Sequence, residues 1–309
     1  MAESSPEKVF YVDKTDTAAV QTGRMPSQPV ETWYTDAVQP LNRENFLSLL
    51  RGNIPAIRIS AFASLETSHR LAKEVTSMLT PYLHATGPAV EKVGVAQFEF
   101  QAQSAEDYNK RTGNEKAQYF SEVAKLKNLH DDLAKAVGEN VWAKAVATLA
   151  ALVPEWDVGV ATEGQNREYF SGIFRCINNG VPIHCDWCPY DCITEDWIIN
   201  KITHQAVFNL YITHVEGGRT TMYDVQWSPD ALKYRDPETY GYFPKLVEHQ
   251  KSCTFEPEIG DLFIFNSRNM HTVRAVDDVK GPGRVAMASF MGLLPPSEMG
   301  GRPKLIFWS

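Results

Sequence analysis

The chain is expected to fold as α+β, with N-terminal helices buttressing a β-sandwich or barrel. Two observations carry this expectation. Up to about residue 155 the apolar residues recur at spacings of three and four, and after Pro154 short β-type runs alternate with clusters of Gly, Pro, Asn and Asp. Size agrees, because 309 residues of which 43 % are hydrophobic can bury a substantial core without disulfide staples.

Residues 1–30 are rich in Ser, Thr, Gln and Glu with no sustained periodicity, and read as a loose or pinned N-terminal arm. Asn42–Leu50 is a short helix that ends near Gly52, and Ile54–Ser60 is a strand. Ser64 opens a helix carrying Leu71, Val75, Met78 and Leu79 on one side, and Val93–Phe100 alternates as another strand. From Ala105 to Val153 the chain is helical. Leu126, Leu129, Leu133 and Val137 form one stripe, continued by Val141, Trp142, Ala145, Val146 and Leu149, and this stripe is read as a core face. The strands then follow at Ser171–Ile177, Gln205–Thr213, Thr220–Val225, Asp261–Phe265 and Arg284–Gly292. No linker separates the halves. Residues 31–309 are therefore taken as one domain, helical over 31–155, with the β core over about 165–295.

Thirty Lys and Arg against 38 Asp and Glu leave a net charge of −8, which argues against a phosphate-backbone partner. The N-terminus has no apolar signal segment, and Ala145–Val153, the longest nearly apolar run, is far short of the ~20 residues that span a bilayer. Five cysteines, an odd number in a chain of this length, suggest a reducing compartment. A cytoplasmic protein with a small-molecule partner, and neither nucleic acid nor membrane, is the expectation.

The chemistry sits in Val181-Pro-Ile-His184-Cys-Asp186-Trp187. Residues two apart on an extended chain project to one face, so His184 and Asp186 can offer an imidazole nitrogen and a carboxylate oxygen to a single ion. His271 follows 87 residues later, behind Gly260-Asp-Leu-Phe-Ile-Phe265. Two histidines and one carboxylate form the facial triad of non-haem Fe(II) oxygenases, which leaves three adjacent positions open. A structural zinc site would close its fourth position with another protein ligand. Thirteen residues past His271 stands Arg284, on a strand whose same face carries Ala286 and Ala288. The guanidinium has room there to grip a dicarboxylate by a bidentate pair. Arg274 and Arg175 are rivals for that role.

These residues resemble the 2-oxoglutarate/Fe(II)-dependent oxygenase superfamily. The likeness rests on His184-x-Asp186, His271 and Arg284, and extends to Gly217-Gly-Arg-Thr-Thr-Met-Tyr223 and Gly260–Phe265. It covers residues 171–292. It implies a double-stranded β-helix (jelly-roll) core, Fe(II) on His184, Asp186 and His271, and Arg284 on the distal carboxylate of 2-oxoglutarate. It also implies an enzyme that uses O₂ and 2-oxoglutarate to remove hydrogen from an unactivated C–H bond. Hydroxylation, desaturation or oxidative cyclisation can follow, and relatives of this kind often serve secondary metabolism. Halogenating relatives lack the carboxylate ligand, so Asp186 speaks against halogenation.

Asn209 and Tyr211 share a strand face and suit the near end of 2-oxoglutarate. Cys185, Cys188 and Cys192 invite an iron–sulfur or zinc reading, but fewer than four well-spaced thiols favour packing. The aromatic, acidic segment Trp187–Ile199 is either a lid over the iron, with Trp187 and Tyr190 touching substrate, or a loop on the outside of the barrel. Two alternatives remain open: a non-haem Fe(II) oxidase that does not use 2-oxoglutarate, and a non-catalytic jelly-roll binding protein.

Overall fold

The computed structural model describes residues 31–83, 89–102, 105–192, 195–279, 281–295 and 301–309; the N-terminal arm of the sequence reading lies outside the described residues. The chain enters through strand β1 (Gln39–Pro40) and helix α1 (Arg43–Arg51). Asn42 caps this helix, accepting the N–H of Asn45 at 2.8 Å, and Phe46, Leu49 and Leu50 are its buried face. Strand β2 (Ala56–Ile59) and helix α2 (Leu65–Thr76) follow, the helix capped by Ser64, which accepts the N–H of Thr67 at 3.0 Å. Strands β3 (Thr80–Pro81) and β4 (Glu91–Val93) come next.

The strand expected over Val93–Phe100 stops at its first residue, and Gln97–Phe100 turns as a 3₁₀ helix. Gly94 breaks it. Its φ of +117° suits only glycine, and a Cβ there would lie 2.4 Å from the Phe170 ring. The helical stretch is four helices: α3 (Ala105–Lys110), α4 (Glu115–Lys125), α5 (Leu129–Val137) and α6 (Val141–Ala150). The apolar stripe faces the core as its spacing predicts, with Leu129, Leu133, Val137, Val141, Ala145 and Leu149 buried.

Beyond α6 come strands β5 (Asp157–Val160), β6 (Ile173–Cys176) and β7 (Val181–His184), the single turn α7 (Cys188–Asp191), and then β8 (His204–Tyr211), β9 (Thr220–Gln226) and β10 (Ser252–Phe255). Strands β11 (Leu262–Phe265), β12 (Asn269–Val273), β13 (Val285–Leu294) and β14 (Lys304–Trp308) complete a mixed α/β fold with two sheets. The larger runs β1-β2-β11-β8-β13-β6-β4-β3, with β14 added on β13 and β5 on β14; the smaller runs β10-β9-β12-β7. From β6 to β13 each consecutive pair of strands crosses between the sheets except β9 and β10, which pair within the smaller one.

The first half of the chain thus does more than buttress. Strand β2 pairs antiparallel with β11, and the Arg58–Asp261 ion pair ties the two strands together. Between the sheets lie Val207, Tyr211, Met222, Phe265 and Ala286, and the stacked rings of Phe255 and Phe263 (4.4 Å, 9°) join one sheet to the other. The alternate residues Phe208, Leu210, Ile264 and Met287 point the other way, into the core shared with Phe46, Leu49, Leu71 and Val75 of the helices. Burying each such side chain contributes about 1.5–3 kcal/mol. Among the described residues no helix is long and apolar enough to cross a membrane.

Candidate metal and co-substrate site

Strands β7 and β12 are neighbours in the smaller sheet, and their register sets His184 directly opposite His271. The imidazoles lie 4.1 Å apart between centroids. Asp186, just past the end of β7, is held by its backbone. Its N–H donates to the Ser267 carbonyl at 2.8 Å, and its carbonyl accepts the Ser267 hydroxyl at 3.1 Å and the Gln205 amide at 3.0 Å. Ligand atoms of His184, Asp186 and His271 all fall within 4.8 Å of one another; among the described residues no other such group of His, Cys, Asp or Glu forms.

The donor set suits a divalent ion. His184 Nδ1 meets the Pro182 carbonyl at 2.8 Å and His271 Nδ1 the Asn269 carbonyl at 2.9 Å. A carbonyl only accepts, so both Nδ1 atoms carry the proton and both Nε2 atoms present lone pairs. Those Nε2 atoms lie 4.0 and 3.4 Å from Asp186 Oδ2. Burial first, and the neighbouring His271 second, push His184 down to about 4, which keeps it neutral and able to ligate. Burial acts to raise Asp186, but the two facing histidines and the charge of Arg175 outweigh it and hold this carboxyl below its usual range.

Arg284 is buried at the start of β13, 5 % exposed. Its Nε donates to the Gly218 carbonyl at 3.0 Å, and its Nη2 to the Tyr211 hydroxyl at 3.1 Å and the Thr220 hydroxyl at 3.4 Å. No carboxylate pairs with it among the described residues. The Gly217-Gly218 turn makes this packing possible. Gly218 has a φ of +67°, and a Cβ on it would come within 2.8 Å of Arg284 Cδ. Tyr211 therefore sits at the guanidinium, rather than at the near end where the sequence reading set it together with Asn209. Asn209 lies opposite Ala288 on β13 and Phe263 on β11, on the same face of β8 as Tyr211. Arg274 is excluded as a rival, being exposed and paired with Asp277 at 2.8 Å.

A cavity of about 280 Å³ opens beside His184 and Asp186, walled also by Arg175, Tyr240 and Phe290 among others. Asn209, Tyr211 and Arg284 are not among the residues that line it. Tyr190 lines the cavity, whereas Trp187 turns away beneath the Arg268 guanidinium, 5.0 Å from its ring. All five cysteines are free and buried. Burial drives Cys185, Cys188 and Cys192 upward, so they remain thiols and not metal-binding thiolates. Tyr240, whose ring stands 5.4 Å from His184, has no sequence signature, because an irregular loop delivers it.

The chain is similar to known proteins in sequence and in fold. Residues 70–299 match the family model of the carrier-protein-independent halogenase WelO5. A Purpureocillium lilacinum protein, leucinostatins biosynthesis cluster protein S, is 32 % identical over 225 residues, 72 % of this chain and 86 % of that one. In structure, an N-substituted L-amino acid dioxygenase from Burkholderia ambifaria superposes with a TM-score of 0.53 at 16 % identity, covering 86 % of this chain and 91 % of that chain. The chain belongs to the WelO5 family, within the 2-oxoglutarate/Fe(II)-dependent oxygenases. It is an oxidoreductase of a family that uses Fe(II), 2-oxoglutarate and O₂, which sets aside the non-catalytic alternative.

Proposed function

We propose that this chain is a 2-oxoglutarate- and Fe(II)-dependent oxygenase that takes hydrogen from an unactivated C–H bond of a small molecule. Residues 31–309 act as one domain, and the strands from β6 to β13 form its jelly roll. His184, Asp186 and His271 are the iron ligands. Arg284, with the Tyr211 and Thr220 hydroxyls, receives the distal carboxylate of 2-oxoglutarate, and Asn209 serves its near end. Bound Fe(II), with 2-oxoglutarate and O₂, supplies the oxidising power for C–H cleavage.

The protein's own residues do the placing. Backbone carbonyls fix both imidazole tautomers, Ser267 and Gln205 fix the Asp186 backbone, and the cavity shields the substrate from water. The observation that carries this reading is the convergence of two Nε2 lone pairs on the Asp186 carboxylate. The buried Arg284, which has no acidic partner among the described residues, supports 2-oxoglutarate over an oxidase that dispenses with it.

The family is described by a halogenase, and Asp186 supports a different outcome. A halide needs the coordination position that a carboxylate otherwise takes, so oxygenation, desaturation or cyclisation is the reading here. The biosynthesis-cluster relative supports a place in secondary metabolism. The free cysteines support a cytoplasmic setting, and the charge of −8 supports a partner other than nucleic acid. The test is incubation with Fe(II), 2-oxoglutarate, O₂, chloride and a panel of candidate metabolites. Succinate should form with a product that gains oxygen or loses hydrogen. Chlorinated product, or turnover indifferent to 2-oxoglutarate, would overturn the reading.

A further inference from the structure

The cavity holds a cation with no assigned purpose. Arg175 lies on β6, opposite the small Ala286 of β13 and Lys92 of β4, and its half-buried side chain lines the cavity. Its guanidinium is held between two rings, 5.8 Å from the Tyr82 centroid and 5.7 Å from that of Phe290. Stacking of this kind fixes the plane of the fork and leaves its N–H edges available. Among the described residues it makes neither a hydrogen bond nor an ion pair.

Its neighbours are committed elsewhere. Lys92 pairs with Glu99 at 3.0 Å and donates to the Gly94 carbonyl at 3.1 Å. Arg235, the other guanidinium on the wall, lies over Tyr242 at 5.1 Å and is within electrostatic reach of Asp191. The acid that feels Arg175 is Asp186, which already faces both histidines. Arg284, gripped by Gly218, Tyr211 and Thr220, does not line this cavity. An arginine cannot shed its charge, so a half-buried fork that faces a cavity without a hydrogen bond suits an anion.

We infer that Arg175 is the substrate anchor, and that the substrate carries a carboxylate which this guanidinium grips while the rings of Tyr82, Tyr240 and Phe290 cover an apolar body beside His184 and Asp186. This rests on the oxygenase reading for the word substrate, whereas the anion site itself stands on the cavity alone. Arg175 would then set both specificity and the distance of the target C–H bond from the metal ligands.

The test compares matched carboxylate and carboxamide probes: benzoate with benzamide, phenylacetate with phenylacetamide, and N-acetyl-leucinate with its amide. Dissociation constants are read by ligand-observed NMR on the full chain, without metal and again with Fe(II) added anaerobically. Wild type should favour the carboxylates by about tenfold, the worth of one charge-assisted contact. Arg175→Met should bring each pair within about twofold while its affinity for 2-oxoglutarate stays unchanged. No preference in wild type, a preference that survives in Arg175→Met, or loss of 2-oxoglutarate affinity in that variant overturns the inference. Absence of any carboxylate preference in wild type overturns the inference even if the variant fails to fold. A chain that favours carboxylates but binds no iron refutes the oxygenase reading alone, and one that binds iron but favours no carboxylate refutes this inference alone.

Discussion

Replacing Arg284 by Gln removes a buried positive charge and keeps most of the side chain. Its Nε and both Nη2 hydrogens are committed to Gly218, Tyr211 and Thr220. The two Nη1 hydrogens remain for a ligand, together with the Tyr211 hydroxyl hydrogen, since that oxygen already accepts from Nη2. A hydrogen bond to a charged partner is worth about 1.5–3 kcal/mol. Loss of the Nη1 contact should therefore weaken 2-oxoglutarate about 10- to 150-fold. The assay is calorimetric titration of the metal-loaded chain under anaerobic conditions, run in parallel with 2-oxobutyrate, which shares the keto-acid end but lacks the distal carboxylate. Its affinity should be the same in wild type and Arg284→Gln. Folding is checked by thermal melting, because the variant also strands the Gly218 carbonyl and Tyr211 hydroxyl at about 1–3 kcal/mol each. Equal weakening of both keto acids in a folded variant, or none, would refute the assignment of Arg284 to the distal carboxylate.

Gly218→Ala should raise the KM for 2-oxoglutarate and leave 2-oxobutyrate binding unchanged, because the new Cβ pushes on Arg284 Cδ from 2.8 Å and the φ of +67° costs a further ~1–3 kcal/mol; unchanged KM values would show that the turn does not set the guanidinium. Asp191 offers a pH prediction. Burial lifts it to about 7, the Asp186 charge adds to the rise, and the Trp187 N–H and Arg235 oppose it. The folded chain then binds a proton that the unfolded chain releases near pH 4, so this group costs stability increasingly as pH climbs from 4 to 7. Melting temperatures of wild type and Asp191→Asn should diverge over that range, the variant gaining relative to wild type at pH 8 over pH 5; a constant difference would contradict the shift.

Much of the site was legible because its logic is local. The period-2 alternation that puts His184 and Asp186 on one face is a property of any extended chain, and the four-residue strand Leu262–Phe265 announces itself by composition. The Gly217-Gly218 turn was visible as a motif, though its reason, room for Arg284, is a tertiary contact. The helical stripe reads as core, yet as one stretch, because the break after Lys125 carries no strong stop residue in the apolar pattern, whereas the one after Val137 falls at Gly138. Strand β14 went unseen; Leu305–Trp308 is a short apolar run whose strand character comes from pairing with β13. Tyr240 and the unpartnered state of Arg175 were illegible for a different reason. Both are facts about what distant segments do or do not bring near, and no window of sequence contains them.

The central claim is that His184, Asp186 and His271 hold one Fe(II) to which 2-oxoglutarate then adds. The direct measurement is an anaerobic titration of the metal-free chain, first with Fe(II) and then with 2-oxoglutarate, followed by visible absorption. A charge-transfer band that saturates at one equivalent of each in wild type, and is lost in Asp186→Ala and His271→Ala variants that still melt cooperatively, is the expected result. A band of equal strength in either variant, or none in wild type, would contradict the account.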